Sequence, residues 1–175
     1  MGMSTRGRRA RDTGPWIGSL LRHAWESVRR RIYQTVVAAG YADLTGAHVG
    51  LFRFESLEGS RPSRLAEQMS ITKQSVNDLL RDLERRGYLV LRPDPSDRRA
   101  RLVRLTARGR RLDAAVRAAA REAEREIRER LGEARFTALR EALLDLRGPP
   151  GSSARPGKRA GARGPRGGRS VTGGR

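Results

Sequence analysis

Four arginines near the middle of the chain stand among alternating apolar residues, within "DPSDRRARLVRLT" at residues 94–106. They are Arg98, Arg99, Arg101 and Arg104. A guanidinium group binds phosphate oxygens through paired hydrogen bonds, and it also enters narrow minor grooves, where the negative potential of DNA is concentrated. The segment therefore predicts a nucleic-acid contact. The alternative is an ordinary solvated run of charge.

The acid beside these arginines needs its own explanation. A carboxylate repels phosphate, so Asp97 would weaken a site that worked by attraction alone. We interpret Asp97 as an acceptor that holds an arginine side chain in one orientation. The turn-forming residues of "PDPSDRRA" predict a β-hairpin that has Arg98 and Arg99 at its tip and its apolar residues at the base.

A second group of polar side chains lies at the start of a predicted helix in "ITKQSVNDLLRDLERRGYL", residues 71–89. Thr72 is a suitable N-cap, and an apolar stripe facing the core would turn the polar side chains outward. Gln and Asn pair with adenine, Lys with guanine, and a carboxylate accepts from cytosine. The expected DNA contacts are Thr72, Lys73, Gln74, Ser75, Asn77, Asp78 and Arg81. The alternative is that any exposed helix face is polar.

The spacing of apolar residues predicts the order helix, helix, helix, helix, hairpin, helix, helix. A long amphipathic helix begins near Ile17 and ends near Gly40, and a second helix, capped by Thr45, carries apolar residues as far as Leu57. The later elements are a helix over residues 60–69, the helix capped by Thr72, strands over residues 88–92 and 101–105, a helix from Thr106 to Gly132, and a helix over residues 136–146. The fold class is mainly α with a small β-hairpin, a winged helix-turn-helix flanked by long helices.

Charge and composition indicate one domain between two tails. Of the net charge of +19, residues 1–14 carry +3 and residues 148–175 carry +7, which leaves +9 for residues 15–147. Both tails are expected to be disordered because they are poor in apolar residues. The second tail is either an electrostatic tether for DNA or RNA or a solvated extension without a selected role.

Several kinds of site are excluded or not expected. The chain has no cysteine, which excludes disulfides, thiol redox sensing and cysteine-based zinc sites. The two histidines are isolated, and there is no phosphate-binding glycine loop or nucleophile–base pair, so we expect no catalytic residue, no metal and no cofactor. No uncharged run approaches the roughly 18 residues that span a bilayer. We expect a soluble cytoplasmic protein without a membrane partner.

Residues 61–112 resemble the DNA-binding domain of the MarR (multiple antibiotic resistance regulator) family, and "DPSDRR" followed by "LT" and "GR" resembles the wing of that family. With the flanking helices, the resemblance covers about residues 16–147. It implies a homodimer that binds a pseudo-palindromic operator on double-stranded DNA and usually represses transcription. The implied dimerisation helices are about residues 16–39 and 107–147, and the implied DNA-binding part is about residues 45–106.

The resemblance also implies residue roles. It assigns DNA contacts to Lys73, Gln74, Ser75, Asn77 and Arg81, and to Asp97 with Arg98 or Arg99, without settling which arginine enters the minor groove. It implies a small aromatic or anionic effector bound between the dimerisation and DNA-binding parts. Trp25, His48 and Phe52 fall on helices that would line such a pocket, although aromatic residues on a helix stripe more often belong to the core.

Two observations from the residues alone bear on function. The first, fifth and sixth helices each carry an apolar stripe that the small winged part cannot cover, which favours a two-fold dimer. The charge leaves an alternative function open, a sequence-tolerant nucleic-acid-binding or architectural protein. A winged helix used only for protein contacts is a third reading, and the basic wing argues against it.

Overall fold

The computed structural model describes residues 14–53 and 57–147, apart from the side chains of Arg98 and Arg147. Its elements are α1 (Ile17–Ala38), α2 (Gly46–Leu51), α3 (Pro62–Met69), α4 (Lys73–Arg85), β1 (Leu89–Asp94), β2 (Asp97–Leu105), α5 (Ala107–Leu131) and α6 (Glu133–Arg147). This order confirms the mainly helical fold with one antiparallel hairpin. The chain divides into two compact units at Gly132, and α6 belongs to the second. The predicted tails, other than Gly14, lie outside the described residues.

Three of the expected helix starts are confirmed by their caps. Thr72 accepts a hydrogen bond from the backbone of Ser75, and Thr106 accepts one from the backbone of Gly109. Thr45 accepts from the backbone of His48. A side-chain acceptor at this position satisfies one of the backbone N–H groups that the first turn of a helix leaves without a partner.

The expected extent of the second helix was wrong. α2 ends at Leu51, with Phe52 as its C-cap, so Leu57 lies outside the helix. Leu57 is nevertheless buried in the core. Gly46 and Gly50 disfavour a long helix, and tertiary packing rather than helical periodicity brings Leu57 inside.

The turn of the hairpin is also tighter than expected. β1 runs to Asp94 and β2 begins at Asp97, so the turn is Pro95–Ser96 and the residue pair Asp94–Asp97 closes it, beside an irregularity at Pro93. Arg98 and Arg99 therefore stand in the first residues of β2 and not at the tip itself. The side chain of Asp94 accepts a hydrogen bond from the backbone of Ser96 at 2.8 Å, a local bond that closes the turn within two residues.

The core beneath the helix-turn-helix explains why α4 presents one face outward. Val76, Leu80 and Leu83 of α4 are fully buried, and Leu65 of α3 and Val103 of β2 join the same core cluster. The opposite face of α4 is exposed, as the apolar stripe predicts. Each fully buried leucine or valine contributes about 1.5–3 kcal/mol through loss of apolar surface, so the orientation of α4 is strongly determined.

The start of α5 lies unusually close to the residue that precedes the wing. Thr106 donates its hydroxyl hydrogen to the carbonyl of Gly87 at 2.7 Å, and its backbone N–H donates to the carbonyl of Tyr88 at 3.1 Å. At Gly109, a Cβ atom would lie only 1.9 Å from the carbonyl oxygen of Tyr88. A side chain at residue 109 is therefore incompatible with this contact, which gives the glycine of the "LTARG" segment a packing role.

We expect Gly109→Ala to lower the free energy of unfolding by about 2 kcal/mol or more, because backbone must move to relieve the overlap. The matched control is Gly18→Ala in α1, where an added Cβ would meet nothing within 4 Å. The control should be neutral or stabilise by up to about 1 kcal/mol, since alanine favours helix. Urea unfolding of both variants measures this, and equal stabilities would contradict the packing role of Gly109.

Candidate nucleic-acid interface

The first turn of α4 holds its polar side chains in defined positions. Thr72, Lys73, Gln74 and Ser75 are all exposed. The amide nitrogen of Gln74 donates to both carboxylate oxygens of Asp78, at 2.9 and 3.1 Å. Asp78 also lies 3.5 Å from a nitrogen of Arg81. Hydrogen bonds and an ion pair thus connect Gln74, Asp78 and Arg81 along the outer face of α4.

The wing carries its charge on an exposed outer part and its apolar residues at the base. Leu89 pairs with Leu105 and Leu91 pairs with Val103, and this end of the hairpin lies against the core. Arg99 and Arg101 are exposed. The requirements for positive charge and for buried apolar surface therefore fall on different residues of the same strands.

Asp97 acts as an acceptor, but for the backbone. Its carboxylate accepts the backbone N–H of Arg99 at 3.0 Å. This bond shapes the start of β2, and the expectation that Asp97 also holds an arginine side chain remains a prediction, since the side chain of Arg98 lies outside the described residues. The exposed guanidinium group of Arg99 is left to face outward.

A groove of about 730 Å³ joins the two groups of side chains that the sequence singled out. From α4 it is lined by Asn77 and Arg81, and from the wing by Asp97, Arg99 and Arg101. Members of the two predicted groups that lie up to 24 positions apart in sequence, Asn77 and Arg101, thus share one surface. The residues of the first turn of α4 and Asp78 are not among those that line the groove, and the side chain of Arg98 lies outside the described residues.

Sequence reasoning missed two residues beside this groove. Arg61, at the N-cap position of α3, lines the groove and donates to Asp94 of β1. Asp94 is 5% exposed, and hydrogen bonds from Ser96 and Arg61 hold the pKa of its carboxyl at about 2, below its usual 3.8. One local signal was present, because arginine cannot accept a hydrogen bond and is a poor N-cap.

The inner side of α4 is tied to α2 through a buried histidine. The Nδ1 atom of His48 accepts the backbone N–H of Thr45 at 3.1 Å, so the hydrogen resides on Nε2, which lies 3.1 Å from Asp82 of α4. Asp82 also accepts from Arg85 and Arg86, and these hydrogen bonds lower the pKa of its carboxyl to about 2. Both ring nitrogens of His48 therefore have partners within the protein.

The three residues proposed for an effector pocket are in different environments. Phe52 is 1% exposed in the core, and His48 is engaged as described. Trp25 of α1 is 52% exposed, and the guanidinium carbon of Arg53 lies 4.4 Å from the centre of its ring. Among the residues that the structure describes, none is a hydrogen-bond partner of the buried Nε and Nη1 atoms of Arg53. Burial, followed by the charge of Arg29, lowers the pKa of its guanidinium group. A buried guanidinium edge without an acceptor is a site to which an anion can bind.

Residues 14–53 and 57–147 contain neither a candidate metal site nor a helix that could span a membrane. Among these residues, no group of three or more His, Cys, Asp or Glu side chains is placed to hold a metal ion. None of the helices in this part of the chain is long and apolar enough to cross a membrane.

Comparison with known proteins points to one family. Residues 42–100 match the sequence model of the MarR family, whereas no curated protein sequence matches the chain. The structure is similar to that of CouR from Rhodococcus jostii RHA1 bound to p-coumaroyl-CoA, with 27% identity, a TM-score of 0.62, and coverage of 76% of this chain and 92% of CouR.

Two other solved structures are similar over a comparable share of the chain. The transcriptional repressor CouR bound to a 23-mer DNA duplex has 26% identity, a TM-score of 0.61, and coverage of 75% of this chain and 92% of the other. A MarR family protein of Mycobacterium tuberculosis in complex with salicylic acid has 27% identity, a TM-score of 0.60, and coverage of 77% and 98%. The likeness spans nearly the whole of each relative and not the winged part alone.

The buried His48 predicts a pH dependence of stability. Burial, as the largest cause, lowers its pKa below the ordinary 6.5, with Asp82 and Asp43 opposing and Arg86 reinforcing the shift. The unfolded chain takes up a proton below about pH 6.5 while the folded protein resists it, so stability present above that pH is lost as the pH falls. We expect the free energy of unfolding to fall between about pH 7.5 and pH 5.5.

In His48→Gln this component should be absent, so the variant, although less stable at neutral pH, should lose less stability over the same interval. The control is His23→Gln, which removes an exposed histidine of α1 and should retain the wild-type dependence. Denaturant unfolding at both pH values measures the difference. The same slope in His48→Gln and wild type would contradict the assignment.

Proposed function

Since this chain is a winged-helix protein of the MarR family, we propose that it is a sequence-specific DNA-binding transcriptional regulator. The groove shared by α4 and the wing carries this proposal. It brings Asn77, whose amide can read adenine, next to the exposed guanidinium groups of Arg81, Arg99 and Arg101, which can hold phosphates or enter the minor groove. The related repressor CouR has been captured on a DNA duplex.

Residue roles follow from the positions of the side chains. α4 enters the major groove by its N-terminal turn, where Lys73, Gln74 and Ser75 are exposed. Asp78 accepts a hydrogen bond from the Gln74 amide nitrogen and so orients the amide, whose carbonyl oxygen accepts from a base. Asp78 has one of two roles: it accepts from cytosine as well, or it only positions Gln74. The wing approaches the adjacent minor groove, with Arg98 or Arg99 as the inserted side chain and Asp97 shaping the strand that carries them.

The protein acts as a homodimer in this proposal. Large apolar side chains at the start of α1 are exposed, namely its N-cap residue Trp16 and Ile17, Leu20 and Leu21 within the helix. Taken by itself, α6 exposes Leu139, Leu143, Leu144 and Leu146. Exposed apolar patches of this kind mark association sites, and a second copy of the chain offers the same surfaces in two-fold symmetry. Residues 16–39 and 107–147 serve as the dimerisation part, and residues 45–106 of each copy read one half of a pseudo-palindromic operator.

Regulation in this proposal is repression that a small molecule relieves. A dimer on its operator excludes other proteins from that DNA, and the related CouR is a repressor. We place the protein in the cytoplasm, where bacterial relatives meet DNA. The alternative function, sequence-tolerant binding driven by the net charge of +19, is separated from this one by whether any site is preferred over random DNA.

The effector in this proposal is an aromatic anion that binds at Arg53. Relatives have been captured with salicylic acid and with p-coumaroyl-CoA, both aromatic and anionic. In this chain, the Trp25 ring covers one face of the Arg53 guanidinium group, while the Nε and Nη1 atoms have no acceptor within residues 14–53 and 57–147. A carboxylate provides two acceptor oxygens in the plane of the guanidinium group, and its aromatic ring stacks in the place of Trp25, which moves aside.

The experiment that tests the main proposal is selection of binding sites from a random duplex library. The full-length protein should enrich an inverted repeat whose half-sites lie about one helical turn apart. Asn77→Ala should keep this site but lose the preference at one base position in each half, at a cost of about 1–3 kcal/mol in binding. The control is Arg140→Ala in α6, outside the proposed DNA-binding part, which should select the wild-type site.

Each outcome of the selection has a clear meaning. Tight, salt-sensitive binding without any enriched sequence would establish the alternative, charge-driven function. An enriched single half-site, with a protein mass of about one 19.5 kDa chain in sedimentation, would contradict the dimer. An unchanged preference in Asn77→Ala would remove that residue from the set that reads bases.

The effector proposal is tested by tryptophan fluorescence. Trp16 and Trp25 are the two tryptophans of the chain, so Trp16→Phe leaves Trp25 as the single reporter. Salicylate should change the Trp25 emission in a saturable manner, and Arg53→Gln should weaken binding by about tenfold or more because a charge-assisted pair is lost. Arg22→Gln, an exposed arginine of α1, is the matched control. Equal affinity in Arg53→Gln and the control would reject this site.

A further inference from the structure

Asp94, the last residue of β1, is buried although it lies in the outer part of the wing, where the strands themselves do not cover it. Pro93, Asp97, Arg99 and Arg101 are all exposed, as expected for the end of a two-stranded hairpin. Asp94, beside the turn, is 5% exposed although it is ionised. A carboxylate is buried at such a place only when hydrogen bonds replace its water.

In the described part of the chain, two residues supply these hydrogen bonds. One carboxylate oxygen of Asp94 accepts from the backbone of Ser96 at 2.8 Å and from its hydroxyl at 2.7 Å. The other accepts from Nε and Nη2 of Arg61, at 2.8 and 2.5 Å. Nη2 of Arg61 also reaches the hydroxyl oxygen of Ser96 at 3.3 Å. Four donors thus saturate the carboxylate, and two of them come from Arg61, the N-cap residue of α3.

Arg61 occupies the N-cap position of α3, where it makes the contact with Asp94 but does not stabilise the helix by capping it. Arg61 is the N-cap residue of α3, and its side chain makes no capping bond. Ser, Thr, Asp or Asn at an N-cap stabilises a helix by about 1 kcal/mol relative to a residue without an acceptor. Arginine has donors only, and here it points them at the wing. The residue is therefore explained by its contact with Asp94 and not by the helix that it begins.

We propose that the cluster of Arg61, Asp94 and Ser96, which we name the wing latch, sets the position of the wing relative to α3 and α4 for DNA binding. This inference rests on the proposed function. A two-stranded hairpin is marginally stable by itself, and the base of this one is held by Leu89, Val103 and the hydrogen bond from the backbone of Leu91 to Glu84 of α4. The wing latch holds the outer end, which carries Arg99.

Arg61 and Asp94 are positioning residues in this proposal. The direction in which Asp94→Asn changes the affinity for DNA separates positioning from simple electrostatic attraction. Asp94→Asn removes a negative charge from the interface, so attraction alone predicts tighter binding to DNA. The wing latch predicts weaker binding, because a neutral amide with an NH₂ group cannot receive all four donors. Arg61→Gln changes the charge in the opposite direction and should have the same consequence.

The experiment measures affinity for the selected operator in wild type, Asp94→Asn, Arg61→Gln and the double variant, over a range of salt concentrations. Each single change should weaken operator binding by about tenfold or more, since charge-assisted bonds are lost. The double variant should bind about as weakly as either single one, because both remove the same cluster. The salt dependence of Asp94→Asn should equal that of wild type. Glu67→Gln, which removes an exposed acid of α3, is the charge-matched control and should not weaken binding.

A second measurement tests the wing latch without DNA. The backbone N–H of Ser96 donates to Asp94, so its hydrogen exchange should be slow in wild type and faster by about tenfold or more in Arg61→Gln, with the exchange of core amides unchanged. Core exchange that rises equally would indicate general unfolding and overturn the specific role. Ser96→Ala, which removes one donor without changing charge, should give a smaller loss of operator affinity than Asp94→Asn.

The two proposals fail in different ways. If wild type selects no operator, the proposed function is wrong, whatever the wing latch does. If wild type selects an operator and Asp94→Asn binds it as tightly as Glu67→Gln or more tightly, the wing latch is wrong. A different result would identify Arg61 as a direct phosphate contact instead. In that case the slope of log affinity against log salt concentration would decrease in magnitude by about one in Arg61→Gln, and Asp94→Asn would bind more tightly than wild type.

Discussion

The structure of the winged part depends on the burial of Tyr88, which lies between the end of α4 and the start of β1. Its ring is fully buried, so its hydroxyl group must find partners inside the protein. The hydroxyl donates to Asp43 at 2.8 Å, and Arg108 of α5 donates to it at 2.9 Å while stacking on the ring. Arg108 also pairs with Asp43 at 3.0 Å. One buried phenol thus fastens the loop before α2, the end of α4 and the start of α5 to each other.

The backbone of the same residue imposes a second constraint. The carbonyl oxygen of Tyr88 accepts from Thr106 and faces Gly109 at a separation that no side chain permits. The return of the chain from the wing into α5 is therefore fixed directly beside the exit from α4. Because the wing begins and ends at this point, its base cannot shift without disturbing the core, and its outer part needs only a contact such as that between Arg61 and Asp94 to be held as well.

Polar contacts also connect α4 to α2, which precedes the residue at which we propose that an effector binds. His48 of α2 bonds Asp82 of α4, and Arg86 links Asp82 to the carbonyl of Asp43, at 2.8 and 2.7 Å. Arg53 and Trp25 meet only a few residues beyond α2. A ligand that displaced Trp25 would act on α2, and the buried bond between His48 and Asp82 supplies a physical route to the helix proposed to enter DNA. The contact between His48 and Asp82 joins α2 to α4 and favours one arrangement of these two helices relative to each other.

The sequence by itself determined the elements and the surfaces that could do chemistry. Helical periodicity, the caps at Thr72 and Thr106 and the stop at Gly132 are local signals, and the faces of α4 follow from them. The tertiary structure alone decided which distant residues meet. Arg61 and Asp94 are 33 positions apart, and Arg53, which follows α2, lies over Trp25 of α1, so no local pattern records either pair. The end of α2 and the tight turn at Pro95–Ser96 were likewise set by burial of Leu57 and by the Asp94 carboxylate. Periodicity reports which side of an element is apolar, whereas the partner of a polar side chain depends on how the elements pack, which local sequence does not specify.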